Sequence, residues 1–223
     1  MHWIQKHILS QLIYQSSCRY ADLKPDEVEG NLFMYHLRQL IKAKYVTKNA
    51  DGRYELTPAG RAYADTLSLE SMKPRIQPRI VTLIVCRNSV GEWLFLRRKR
   101  QPLLGMAGFP YGKIHLGETI AEAAARELSE KAGLTCRLEH RGDGYVTITE
   151  GGHRSSEIMF HLFYGAYPEG ELKTNKPAGK VFWAPESAID DTYMPSVKDL
   201  LRLLRANDQR FFTELTYDLK PIC

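Results

Sequence analysis

Residues 112–134 read Gly-Lys-Ile-His-Leu-Gly-Glu-Thr-Ile-Ala-Glu-Ala-Ala-Ala-Arg-Glu-Leu-Ser-Glu-Lys-Ala-Gly-Leu. The run from 119 to 132 is rich in Ala and Glu, and its Ala and Leu residues return to one side. This pattern predicts a helix over 119–132, ended by Gly133 as its C-cap. On such a helix Glu127 and Glu130 are three apart, and Lys131 is four from Glu127, so all three share one face. A Glu placed N-terminal to a Lys at i,i+4 favours an ion pair, worth ~0.3–0.5 kcal/mol on an exposed helix. The alternative is a Lys131 that turns outward and leaves two carboxylates together.

The stretch resembles the Nudix box, Gly-x5-Glu-x7-Arg-Glu-U-x-Glu-Glu-x-Gly-U, where U is a bulky apolar residue. Gly112, Glu118, Arg126, Glu127, Leu128, Glu130, Gly133 and Leu134 fall on the required positions. Lys131 departs from it, standing where the motif has its last Glu. The resemblance implies an α/β/α sandwich and hydrolysis of a nucleoside diphosphate linked to another moiety. Mg²⁺ or Mn²⁺ would neutralise the pyrophosphate oxygens and activate water, which calls for hard oxygen ligands. The resemblance gives catalytic roles to Glu118, Arg126, Glu127 and Glu130. It gives metal ligation to Glu127, Glu130 and the carbonyl of Tyr111. An ammonium at Lys131 repels a divalent cation, so this departure weighs against the metal. If Lys131 turns outward, Glu157 or Glu150 is a candidate to complete the ligand set.

Working outward, Ile80–Cys86 is a continuous apolar strand, Asn88–Gly91 a turn, and Trp93–Arg98 a returning strand. Further strands are predicted at about 144–149, 157–167 and 181–183, with a last helix near 197–205. Beyond Asp208 no pattern emerges. Arg97 and Arg98 follow a strand that enters the site in this fold, so they and Lys131 are candidate ligand-binding cations. His115 and His153 read as loop polar residues, and Trp93, Phe160 and Trp183 as core.

The N-terminal part has another character. Ile4, Ile8, Leu9, Leu12 and Ile13 recur at helical spacing, and Tyr20–Leu23 reads as a short helix stopped near Pro25. A third helix is predicted from about Asn31 to Ala43. Two short β runs follow around Asp51-Gly52, and then Thr57-Pro58 starts a last helix. This order resembles the winged helix-turn-helix domains of small repressors. The resemblance implies duplex DNA as a partner, with Tyr35, His36 and Gln39 toward base edges. Arg38, Lys42, Lys44, Lys48 and Arg53 would face phosphates. A homodimer on two half-sites follows from the same resemblance. The fold class expected is thus an α+β winged helix-turn-helix over 1–67, a Pro-containing linker over 68–79, and a Nudix sandwich over 80–223.

Composition narrows the class. The 223 residues are 43% hydrophobic and 26% charged, as in a globular protein. No apolar run approaches the ~20 residues of a membrane span, and the first residues lack a signal-peptide core. Cys18, Cys86, Cys136 and Cys223 stand apart without metal-ligand spacing, which suits a reduced, cytoplasmic chain. Residues 1–79 hold 12 Lys/Arg against 8 Asp/Glu, and residues 80–223 hold 19 against 18. The excess charge therefore lies in the N-terminal part, where a polyanion would bind. Two functions are in view. One is a regulator that binds DNA and a nucleotide-like or phosphorylated metabolite. The other is a metal-dependent Nudix hydrolase with an accessory N-terminal domain.

Overall fold

The computed structural model describes residues 1–177, 179–206 and 209–219. Cys223 lies outside them. The chain forms two compact units, Met1–Gln77 and Pro78–Cys223.

In the first unit, α1 (Trp3–Tyr14) buries Ile4, Ile8, Leu9 and Leu12, the stripe expected from their spacing. After it come α2 (Tyr20–Leu23) and α3 (Gly30–Lys42), the latter burying Phe33, Leu37 and Leu40 against α1. Strands β1 (Val46–Lys48) and β2 (Tyr54–Leu56) pair antiparallel around the Asp51-Gly52 turn. Helix α4 (Pro58–Asp65) starts as expected: Thr57 accepts a hydrogen bond from the Gly60 N–H, and Pro58 opens the helix.

The stretch expected as a linker is mostly part of this unit. Ser68 N–H bonds Lys73 O, Arg75 N–H bonds Thr66 O, and Leu67 is buried in the first core. The Met72 N–H bonds the Ser68 carbonyl in a turn that folds the chain back, Leu67 bridges Pro74, and the boundary between units falls at 77/78.

The second unit is built on one mixed sheet. Its elements are β3 (Arg79–Arg87), β4 (Trp93–Arg98), β5 (Ala107–Gly108), β6 (Tyr111–Lys113), α5 (Ile120–Ala132), β7 (Leu134–Thr135), β8 (Glu139–Glu150), β9 (His153–Ala166), β10 (Glu169–Gly170), β11 (Asn175–Lys176), β12 (Gly179–Ala184), a 3-10 turn at 186–188, α6 (Ser196–Ala206) and β13 (Phe211–Leu219). The main sheet runs β11-β12-β4-β3-β9-β8-β13, with β5 beside β4 and β6 beside β3. β3 pairs with β9 in parallel and β8 with β9 antiparallel, while β7 and β10 pair separately.

Alternation along β3 assigns the two faces. Val81, Leu83 and Val85 join α6 residues Val197, Leu200, Leu201 and Leu204 in one core. Ile84 and Cys86 join α5 residues Leu128 and Ala132 in the other. Each helix thus covers one face, and α5 lies chiefly on β3, β6 and β7. Trp93 and Phe160 are buried, and Trp183 packs on the α5-side core, as read from sequence. β8 and β9 are longer than expected because they continue as a hairpin to the Gly151-Gly152 turn. The tail past Asp208, where no pattern was read, holds β13, which pairs in parallel with β8. Its sequence does alternate: Phe211, Leu215, Tyr217 and Leu219 pack on the core, while Phe212, Glu214, Thr216 and Asp218 are exposed.

If 67–75 belongs to the first unit, Leu67→Ala empties a buried site and costs about 2–5 kcal/mol. Urea denaturation monitored on that unit measures this, and a cost near zero would show an open linker instead.

Candidate functional site

The helix α5 carries the site because both its ends are well determined. Thr119 caps it, accepting from the Glu122 N–H while Glu122 reaches back to the Thr119 N–H. Gly133 ends it in the left-handed region at φ 72. This leaves Arg126, Glu127, Glu130 and Lys131 on consecutive turns beside the loop 114–118.

Glu127 is buried, and its carboxylate lies between two cations. Arg126 Nη1 donates to Oε1 at 2.9 Å, and Lys131 Nζ stands 2.8 Å from Oε2. Below it is β6. A Cβ added to Gly112 would stand 1.7 Å from the Glu127 carboxyl carbon, so only glycine leaves room for this acid. Arg126 then ties the loop to the helix. It donates to Glu118 through Nε (2.9 Å) and Nη2 (2.7 Å), and to the Lys113 carbonyl at 3.0 Å. Hydrogen bonds from Arg126, and then from the His115 N–H, hold the Glu118 carboxyl down at about 2. Glu130 is the outlying member. Its side chain is 60% exposed, and it stands 3.4 Å from Arg126.

This arrangement does not fit a divalent cation bound as the box resemblance implies. Both oxygens of Glu127 already face cations, Glu130 points toward solvent, and the third carboxylate position is an ammonium. The outward-turned Lys131 is not what forms. Of the acids considered as replacements, Glu157 pairs with Arg154 at 3.3 Å, and Glu150 sits opposite His153 near the hairpin turn.

A basic cleft opens beside this helix. Arg79, Arg98, Arg100, Lys113 and Lys131 line it together with Tyr111, His115 and the single carboxylate of Glu127. A second, mainly apolar cleft adjoins it and shares Arg79, Arg98 and Tyr111; Leu83, Phe109, Val146, Ile148 and Phe160 are among its walls. Arg98 is buried where the two meet, donating to the Pro102 carbonyl at 2.8 Å and to the Tyr111 hydroxyl.

Of the cations proposed for ligand binding, the structure brings Arg98 and Lys131 to the basic cleft but not Arg97. Arg97 bonds the Gly105 carbonyl at 2.8 Å and lies over the Phe182 and Tyr193 rings, because successive strand residues point to opposite faces. Arg79 was missed. It looked like the end of a linker, yet it begins β3 and donates to Ser156 Oγ at 2.7 Å.

The NUDIX domain family matches residues 77–211. The chain belongs to the Nudix family. A mouse protein named 8-oxo-dGDP phosphatase NUDT18 is 30% identical over 135 residues, covering 60% of this chain. Its human counterpart is 29% identical over 113 residues, covering 49%. The chain spans only 38% and 33% of the length of these two relatives. Among solved structures, the MutT NUDIX hydrolase from Burkholderia pseudomallei superposes with a TM-score of 0.50 at 21% identity, over 57% of this chain and 98% of that one. The NUDIX domain of Shewanella oneidensis NrtR, crystallised with ADP ribose, gives a TM-score of 0.50 at 16% identity, over 68% and 98%. At these identities the two structures speak for the fold alone. No helix among the described residues is long and apolar enough to cross a membrane.

In the first unit, the residues expected to meet DNA separate into two sets. Tyr35, Arg38, Gln39, Lys42, Lys44 and Lys48 are exposed on α3 and the hairpin. His36 is buried and Arg53 is half-buried, and both are engaged within the unit. His36 is buried and stacks on His2 with ring centroids 4.0 Å apart. Arg53 is turned inward, where Nε donates to Ser17 Oγ at 2.8 Å and Nη2 to the Ser17 carbonyl at 2.9 Å.

Two outcomes follow. Gly112→Ala displaces the Glu127 carboxylate and costs about 1–3 kcal/mol, visible as a melting temperature lowered by several degrees. An unchanged melting temperature would contradict the packing of Glu127 on β6. Glu118, held near 2 in the fold against 4.5 ordinarily, contributes stability above pH 4.5 that is lost as pH falls toward 2. Glu118→Gln therefore flattens that part of the melting-temperature profile, modestly because the group is solvent-screened.

Proposed function

We propose that this chain is a ligand-responsive regulator. Its Nudix unit binds a nucleotide-like or other phosphorylated metabolite without hydrolysing it, and its first unit binds duplex DNA. The observation that carries the reading is Lys131 at 2.8 Å from Glu127. A fixed ammonium there occupies the position a divalent cation would need and supplies positive charge to the cleft without one. The cations around the cleft suit phosphate oxygens, and the adjoining apolar walls suit a base or another flat, apolar group. The likeness to the NUDIX domain of NrtR is compatible with this reading through its fold.

The first unit supports the DNA half. Three helices, a two-stranded hairpin and a closing helix follow the order of a winged helix-turn-helix. Its exposed Arg38, Lys42, Lys44 and Lys48 follow α3 into the hairpin, as phosphate contacts would. Binding as a homodimer to two half-sites belongs to the same proposal. A ligand that binds one DNA-affinity state better would shift the population between states.

A second reading has its own support. The relatives named 8-oxo-dGDP phosphatase share about three residues in ten with this chain over 135 and 113 residues. On that reading the chain is a Nudix hydrolase that tolerates Lys131, with the first unit as an accessory.

Release of nucleoside monophosphate from a panel of nucleoside diphosphate derivatives, ADP ribose included, followed by chromatography, separates the two. The regulator reading predicts no metal-dependent release, together with a rise in melting temperature caused by at least one member. Release that requires Mg²⁺ or Mn²⁺ and disappears in Glu127→Gln would establish the hydrolase. For the DNA half, Lys42→Ala, Lys44→Ala and Lys48→Ala together should weaken duplex binding across sequences. They should also lower the slope of log affinity against log salt by about 1 per lost phosphate contact.

A further inference from the structure

The register of the main sheet lines up one row of residues on the α5 face. Gly112 of β6 is opposite Thr82 of β3, Thr82 is opposite His161 of β9, and His161 is opposite Asp143 of β8. Register partners point to the same face. Gly112 lies under the Glu127 carboxylate, so the row begins at the box and ends at a separate cluster two to three strands away. With strands ~4.8 Å apart, His161 stands about 10 Å across the sheet from Gly112.

At that end His140, Asp143 and His161 converge. His140 Nε2 is 2.9 Å from Asp143 Oδ1, and His161 Nδ1 is 2.6 Å from the same oxygen. One ligating atom from each residue lies within 4.8 Å of the other two. Because α5 lies chiefly on β3, β6 and β7, this part of the face stays reachable, with side-chain exposures of 19%, 32% and 17%. Burial pushes the Asp143 carboxyl up, but hydrogen bonds from His161 and His140 outweigh it and keep the group below its ordinary range. The ring of His140 is further oriented by stacking on Phe163 at 5.1 Å. Thr82, next to His161 in the row, is fully buried, and its hydroxyl has no hydrogen-bond partner.

We propose that His140, Asp143 and His161 form a binding site for a divalent transition metal of the Zn²⁺ type, distinct from the Nudix box. Two imidazole nitrogens and one carboxylate oxygen are the ligand set such an ion takes, with water in the open fourth position. Hard ions such as Mg²⁺ prefer all-oxygen sites and are disfavoured here. Bonds of ~2.0–2.2 Å in a tetrahedral site place ligand atoms on the order of 3.5 Å apart. The present 2.6 and 2.9 Å hydrogen bonds thus need to open by less than about 1 Å. The proposal is independent of whether the Nudix unit is a sensor or an enzyme.

The test is titration of the full chain, stripped with chelator, with Zn²⁺ by calorimetry and with Co²⁺ by visible absorption. One ion per chain should bind, and Zn²⁺ should raise the melting temperature. His161→Gln and Asp143→Asn should each weaken binding by more than about tenfold and abolish that rise while remaining folded by circular dichroism. The Cys86 and Cys136 sulfurs, 3.9 Å apart, are the competing soft ligands. A thiolate charge-transfer band in the Co²⁺ spectrum would therefore overturn the proposal. So would binding that survives in His161→Gln and Asp143→Asn, or no binding to the unmodified chain.

Discussion

A buried carboxylate must be paired, and the pairing of Glu127 organises the Nudix unit. A charge taken out of water costs several kcal/mol unless cations and hydrogen bonds compensate it. Here the compensation comes from the chain itself, through Arg126 and Lys131 on the same helix. The geometry then propagates. Glu127 fits only over a glycine, which brings α5 down onto β6 at Gly112. Arg126, engaged by Glu127, is positioned to hold Glu118 and the Lys113 carbonyl, so the loop is tied to the helix.

The same pair sets the character of the cleft. Replacing a carboxylate with Lys131 changes a site that would collect a cation into one that presents cations. Arg79, Arg98, Arg100 and Lys113 add to that presentation. Arg98 and Tyr111, hydrogen-bonded to each other, line both the basic cleft and the apolar one. Scaffold and recognition are thus continuous: what stabilises the helix also determines the charge offered to a ligand.

How much of this was legible in the sequence depends on the range of the interaction. The box helix, its Gly133 cap, the Glu127–Lys131 pairing option and the Thr57-Pro58 helix start are local, and local spacing reveals them. β13 was equally local but passed unread, because the alternation of Phe211, Thr213, Leu215, Tyr217 and Leu219 is weakened by polar and aromatic residues in both sets. Other features needed the third dimension. Arg97 and Arg98 are adjacent in sequence yet point to different environments, which only the strand's facing decides. Arg53 reads as a wing cation until Ser17, 36 residues earlier, is seen to engage it. His140, Asp143 and His161 meet through antiparallel register between β8 and β9, which no motif in the chain announces.

Metal binding at the box tests the central claim most directly, namely that Lys131 holds the position of a divalent cation. Mn²⁺ titration followed by electron paramagnetic resonance, on the unmodified chain, Lys131→Glu and Lys131→Glu/Glu127→Gln, isolates that position. The account predicts that Lys131→Glu gains a Mn²⁺ site absent from the unmodified chain, and that adding Glu127→Gln removes it. A Mn²⁺ site already present in the unmodified chain and lost on Glu127→Gln alone would contradict it.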